Sequence, residues 1–157
     1  MSRFDHDPFD YETVKAALLN NNAPIPPSLV YCLSDLIDLD VDLLAGIWSD
    51  IQVERRRSLL EDMETLSEVD TLVDFDPVAK MCLADQDPVA RATAIRLLWQ
   101  SEEEKLVPIF LKLLKEDPES IVKAASATAL GLFVYLGELG EIKESFYHQA
   151  VEKLIQA

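Results

Sequence analysis

Residues 85–99 read DQDPVARATAIRLLW and residues 117–131 read DPESIVKAASATALG; the two superimpose without a gap at an offset of 32. Asp85 falls on Asp117, Val89 on Ile121, Ala90 on Val122, Arg91 on Lys123, Ala92 on Ala124 and Leu98 on Leu130. Upstream, Met81 and Leu83 fall on Leu113 and Lys115, so each aspartate closes the turn after an apolar helix. A period of this size marks a supersecondary unit that buries its apolar face only by stacking on its neighbours. The unit is a helical hairpin in which a turn aspartate precedes, by six residues, a base near the start of the second helix. The aspartate is expected to cap that helix, or to accept a hydrogen bond from the base of the next repeat and so build a ladder along the stack. Small residues after the base (Ala92, Thr93, Ala94; Ala124, Ala125, Ser126, Ala127) let helices approach closely.

Outward from this pair the pattern stays helical. Val107, Phe110, Leu111 and Leu114 follow the i, i+3, i+4, i+7 spacing of one helix face, with Lys112 and Lys115 opposite. Residues 102–104, all Glu, are expected in its first turn, where they suit the helix dipole. Asp-Pro steps at 76–77, 87–88 and 117–118 break and restart the chain. Further helices are expected over residues 11–19, 28–36, 40–51, 53–67, 76–84, 89–100, 121–136 and 141–156, and no stretch alternates with the period of a strand. Asp40 is read as an N-cap, and Gly137 and Gly140 as a helix end followed by a restart. Only 4 glycines among many Leu, Ala, Glu and Lys favour helix over sheet.

These residues resemble the HEAT family. The marks are the turn aspartates Asp85 and Asp117, the apolar–basic pairs Ala90-Arg91 and Val122-Lys123, the alanine-rich second helix, and Ala129-Leu130-Gly131. The short period is most similar to the HEAT-like repeats of many bacterial proteins; the Thr-Pro-Leu-His signature of ankyrin repeats and the Trp/Leu-Gly/Tyr signature of tetratricopeptide repeats are absent. The resemblance implies an all-α, armadillo-type solenoid of antiparallel hairpins over residues 1–157. Within it, residues 1–26 are an irregular N-terminal part with one helix, 27–74 a degenerate repeat, 75–136 the best-matched repeats and 137–157 a capping helix.

The charge bounds the partners. Acids exceed bases by 7 in residues 1–50, by 4 in 51–100 and by 4 in 101–157, giving −15 spread along the whole chain. Such a field repels phosphate backbones and anionic lipid, so neither nucleic acid nor a membrane is expected, while a basic protein remains allowed. No apolar run approaches the roughly 20 residues of a membrane span and no signal segment is recognised, so a cytoplasmic location is expected.

No polar cluster reads as a reaction centre. His6 and His148 stand apart from each other and from Cys32 and Cys82, which gives no zinc set, no CxxC pair and no disulfide framework. Asp35, Asp38, Asp40 and Asp42 lack the spacing and closing glutamate of a calcium loop and read as a solvated turn. Ser126 and Thr128 lie mid-helix without a nearby histidine. Arg55, Arg56 and Arg57 start the second helix of the degenerate repeat, where pairing with Glu61 or Asp62 on the same helix is expected. Trp99 reads as a core plug. No catalytic, metal-binding or cofactor-binding residue is expected, and no cofactor.

The expected role is therefore a non-enzymatic protein-interaction or scaffold module. The resemblance implies that second helices (residues 53–67, 87–100, 118–136) line the concave face. Arg96 and Thr128, 32 apart, should share one ridge, with Gln100 and Tyr135 toward its end, as the partner-binding candidates. Asp85, Arg91, Asp117 and Lys123 are the structural repeat positions. Self-association through an uncovered end of the stack is allowed. Relatives imply two other roles, an accessory of the bilin-lyase type and, against the charge, a DNA-repair glycosylase-like protein.

Overall fold

The computed structural model describes residues 9–157, and among these every regular element is helical. His6 lies outside them. Four hairpins follow one another: α1 (Tyr11–Leu19) with α2 (Pro27–Cys32), α3 (Asp38–Trp48) with α4 (Val53–Val69), α5 (Asp76–Cys82) with α6 (Pro88–Leu97), and α7 (Leu106–Glu116) with α8 (Ser120–Glu138). A further helix, α9 (Glu144–Gln156), packs on α8 and α7. Second helices stack in order, α2 on α4, α4 on α6 and α6 on α8, while α1 packs on α3 and α3 on α5. This is the α-solenoid that the 32-residue repeat implies.

The core runs between the two layers. Leu59, Leu60 and Met63 of α4, Ala90, Ala92, Ala94 and Ile95 of α6, and Val122, Leu130 and Phe133 of α8 are buried. Alanines on α6 leave room for the neighbouring helices, and Phe110 and Phe133 meet across α7 and α8 with ring centroids 6.3 Å apart. Each large apolar side chain removed from water here contributes about 1.5–3 kcal/mol, and this burial, rather than propensity, holds helices as short as α5. Ser120–Glu138 is also, by length and composition, apolar enough to cross a membrane; the expectation that no run of that size exists was wrong. Val122, Ser126, Leu130, Phe133 and Leu136 are nonetheless its packed face in the stack.

Several boundaries differ from the sequence reading, each for a visible reason. α2 stops at Cys32 because Asp35 takes a left-handed conformation (φ 56°) and donates its amide to the Asp74 carbonyl at 2.8 Å. α3 begins at Asp38 with Ile37 as its N-cap, so Asp40 sits within the first turn and is not the cap. Residues 102–104 precede α7 rather than opening it. Their acids link hairpins instead: Glu103 pairs with Lys80, and the Glu104 carboxylate accepts the Lys143 amide at 2.7 Å. After α8 the Glu141 amide reaches back to the Leu136 carbonyl at 2.9 Å and Gly140 adopts φ 73°, a Schellman ending that delays α9 to Glu144.

Candidate interaction surface

The turn aspartates and the bases are joined, in the opposite sense to the one expected. Arg91 of α6 reaches forward to Asp117 in the following turn, with Nε 2.9 Å from Oδ2 and Nη2 3.0 Å from Oδ1. Its remaining nitrogen, Nη1, donates to the carbonyls of Asp85 (2.8 Å) and Gln86 (3.0 Å) in its own turn. Each aspartate therefore accepts from the preceding repeat's base, not the next one's. A guanidinium has the reach and the planar fork for two bonds to a carboxylate plus one to a carbonyl, which suits arginine to the position.

One step earlier Arg56 does the same. Its Nε and Nη2 lie 3.0 and 3.2 Å from the Asp85 carboxylate, and Nη1 donates to the Ile51 carbonyl at 2.6 Å. The Trp48 indole adds a 2.6 Å hydrogen bond to Asp85 Oδ2. Arg57 pairs with Asp87, and the Asp87 carboxylate also accepts the Ala90 amide at 2.9 Å. The cap of α6 is thus Asp87 and not Asp85. Arg55 points the other way, to the carbonyls of Ala23 (2.8 Å) and Ala17 (2.6 Å) in the first hairpin. The three arginines bind neighbouring hairpins rather than Glu61 or Asp62, as the sequence reading had it. A usable signal was present: Asp50 precedes Arg56 by six residues, as Asp85 precedes Arg91 and Asp117 precedes Lys123.

The charges respond to this arrangement. The hydrogen bonds from Arg57 hold the Asp87 carboxyl below its usual range, against some loss of hydration. Burial alone would push Asp117 up, but Arg91 and the Glu119 amide (3.0 Å) together bring it below its usual range. Burial raises Asp76 and Asp62. It also drives the Cys82 thiol far above its ordinary value, which leaves that sulfur a core atom.

On the face made by α4, α6 and α8 lies a groove of about 680 Å³. Its floor includes Ile95, Phe110, Ala125, Ala129 and Phe133, and its rim Glu64, Glu68, Arg96, Trp99, Ile121 and Thr128. Arg96 and Thr128 share this groove as their spacing predicts. Arg96 does not stand free: Nε and Nη2 hold the Glu64 carboxylate at 2.7 and 3.0 Å, and Nη2 also meets Thr93 Oγ1 at 3.0 Å. Gln100 instead borders a smaller cleft with Ser67, Asp74 and Asp76. Tyr135, 58% exposed, lies on α8 outside the groove lining. Trp99 is no core plug but is 51% exposed, because residues 98–100 form a single 3-10 turn that swings the indole to the rim. It is the exposed aromatic side chain of the groove lining, where the sequence pattern had placed it in the core.

The polar candidates remain dispersed. Thr128 and Ser126 return their hydroxyls to the Ala124 and Val122 carbonyls one turn back. His148 is exposed on α9, with Nε2 3.2 Å from Glu144. Among the described residues no three His, Cys, Asp or Glu side chains converge as metal ligands.

Comparisons with known proteins agree with the geometry. The family model for HEAT repeats matches residues 75–157, a stretch that takes in α9 as well as the two best hairpins. Neither the curated proteins nor the solved structures gave a significant match. With just over half of its length matched and the hairpins stacked as described, the chain belongs to the HEAT repeat family.

Proposed function

We propose that the chain is a non-enzymatic scaffold that binds a protein partner in the groove of α4, α6 and α8. HEAT repeats are generally protein-interaction modules, and the observation that supports this site is the half-exposed Trp99 beside an apolar floor. Binding hot spots are enriched in Trp, and an exposed aromatic that adjoins an apolar groove has the make-up of such an anchor. Glu64 and Glu68 edge the same groove. The fitting ligand is therefore a segment with an apolar side chain for the floor and a cationic one for the acidic rim.

Glu64 is held by Arg96, which sets its orientation and leaves Glu68 as the freer acid. A partner cation would add to this pair rather than replace Arg96. Thr128 and Ile121 supply the opposite wall from α8. Neither the bilin-lyase nor the glycosylase reading gains a supporting observation from the groove.

Affinity capture from native extract tests the site, with wild type compared against Trp99→Ala and Ile121→Asp. Both side chains are exposed, so neither change should unfold the chain. Loss of one and the same protein from both variants is expected. Equal retention of every captured protein would move the interaction off this groove.

A further inference from the structure

The arginine–aspartate series has an unused last member. Arg56 holds Asp85 and Arg91 holds Asp117, but Lys123, in the same position on α8, forms no ion pair among the described residues. Around it the surface is uncovered. Ala79, Cys82, Leu83, Ala92 and Ile95 are buried. Their counterparts 32 residues on, Leu111, Leu114, Lys115, Ala124 and Ala127, line an open groove of about 850 Å³ with Leu154 of α9. Four lysines edge it, Lys112, Lys115, Lys123 and Lys153. In a chain of net charge −15 with only 14 bases, this is a local reversal of sign over an apolar floor.

The complementary surface is on the same molecule. Along α3, Asp38 and Asp42 form one exposed stripe and Leu39 and Leu43 the stripe beside it, each pair four residues apart. Leu39 is 64% exposed, and Ile37 just before the helix is 62% exposed. Neither carboxylate forms a hydrogen bond or ion pair among the described residues. An acidic ridge carrying two leucines is the chemistry that an apolar groove edged by lysines accepts.

We propose that the lysine-edged groove of α7, α8 and α9 docks the Asp38–Leu39–Asp42–Leu43 ridge of α3 from a second copy of the chain. The leucines enter between Leu111, Leu114 and Leu154, and the aspartates meet the surrounding lysines. Groove on groove would set four lysines against four, so the contact joins unlike surfaces, and the association proposed is head-to-tail rather than a closed two-fold pair. The net negative charges of two copies repel at long range, but at physiological salt the screening length is about 8 Å, and contacts at the interface decide the outcome.

Sedimentation velocity at physiological ionic strength, from micromolar to millimolar chain, tests this. The wild-type weight-average mass should climb with concentration past that of two 17.7 kDa chains. Lys112→Glu/Lys115→Glu, which spoils the groove, and Leu39→Ser/Asp42→Lys, which spoils the ridge, should each stay monomeric with unchanged helical content. Mixed, they should form a one-to-one pair and stop there, because one intact groove meets one intact ridge. A wild type that is monomeric throughout overturns the proposal, as does association that survives either variant, or a mixture that does not pair. If a glutamate homopeptide binds wild type but not Lys112→Glu/Lys115→Glu while the chain itself stays monomeric, the groove serves a different acidic partner and the second-copy assignment fails.

Discussion

Arg91 spans two turns of the chain: one edge of its guanidinium holds the Asp117 carboxylate at 2.9 and 3.0 Å, and Nη1 holds the Asp85 carbonyl at 2.8 Å. Both partners are largely buried, with side-chain exposures of 12% and 4%. Removing one member of a buried pair leaves an uncompensated charge, and Arg91→Ala should cost about 3 kcal/mol. For a chain of this size that lowers the thermal midpoint by roughly 10 °C. Arg96→Ala, which breaks the more exposed Arg96–Glu64 pair, should cost about 1 kcal/mol or less. Denaturant unfolding of the two variants side by side checks the order.

Acid should weaken the same contacts. The folded-state pKa of Asp117 and of Asp87 lies below the unfolded value, so each contributes stability that is present above about pH 4 and is lost as pH falls through the folded value. Asp76 and Asp62 are shifted up and act in the opposite sense, in the interval above the unfolded value rather than below it. The test is therefore a difference. Asp117→Asn should be clearly less stable than wild type at neutral pH, and the gap should narrow steadily below pH about 4 as the wild-type carboxylate takes up a proton.

The two indoles should report opposite environments. Trp48 is buried and bonded to Asp85, whereas Trp99 stands at the groove rim. Acrylamide should quench Trp48→Phe protein, which keeps Trp99, much more steeply than Trp99→Phe protein. Trp48→Phe should also destabilise by about 1–3 kcal/mol, since Asp85 loses a buried donor. Equal quenching slopes would return Trp99 to the core.

The junction of α8 and α9 is tight at one glycine and left-handed at another. A Cβ at Gly137 would run into the Tyr147 ring, and Gly140 sits at φ 73°. Gly140→Ala should cost about 1–2 kcal/mol through its backbone alone. Gly137→Ala should cost a similar amount through overpacking, about 1–3 kcal/mol. Pairing it with Tyr147→Ala should recover part of that loss, whereas Gly140→Ala should gain nothing from the same second change. Thermal melts of the four proteins separate the two causes.

Much of this fold was legible in the sequence because the repeat signal is local. The Asp-Pro steps, the six-residue aspartate–base spacing and the alanine run survive in linear order, and they located the hairpins after residue 75. The direction of the ladder was not legible. An aspartate six residues from a base in its own turn competes on paper with one twenty-six residues away, and only the fold shows which is reached. Arg56 was hidden because the step from it to Arg91 is 35 residues rather than 32. Trp99 was misplaced because a change from α to 3-10 geometry at Leu98 rotates the side chain, and apolar spacing carries no trace of that. Of the partner-binding candidates, Arg96 and Thr128 line the same groove. Gln100 strayed because α6 ends at Leu97, where extrapolation assumed it would continue, and Tyr135 lies on α8 outside the groove lining.

The guanidinium clamps also act as a ruler. Arg56 and Arg91 each fix the separation between their own turn and the next by the width of one side chain, whatever lies between. First helices of seven and eleven residues and second helices of ten and nineteen are carried on the same rungs. Pitch is thereby uncoupled from helix length, and mutation can lengthen, shorten or re-face individual helices to suit a ligand while the spacing of the hairpins stays constant.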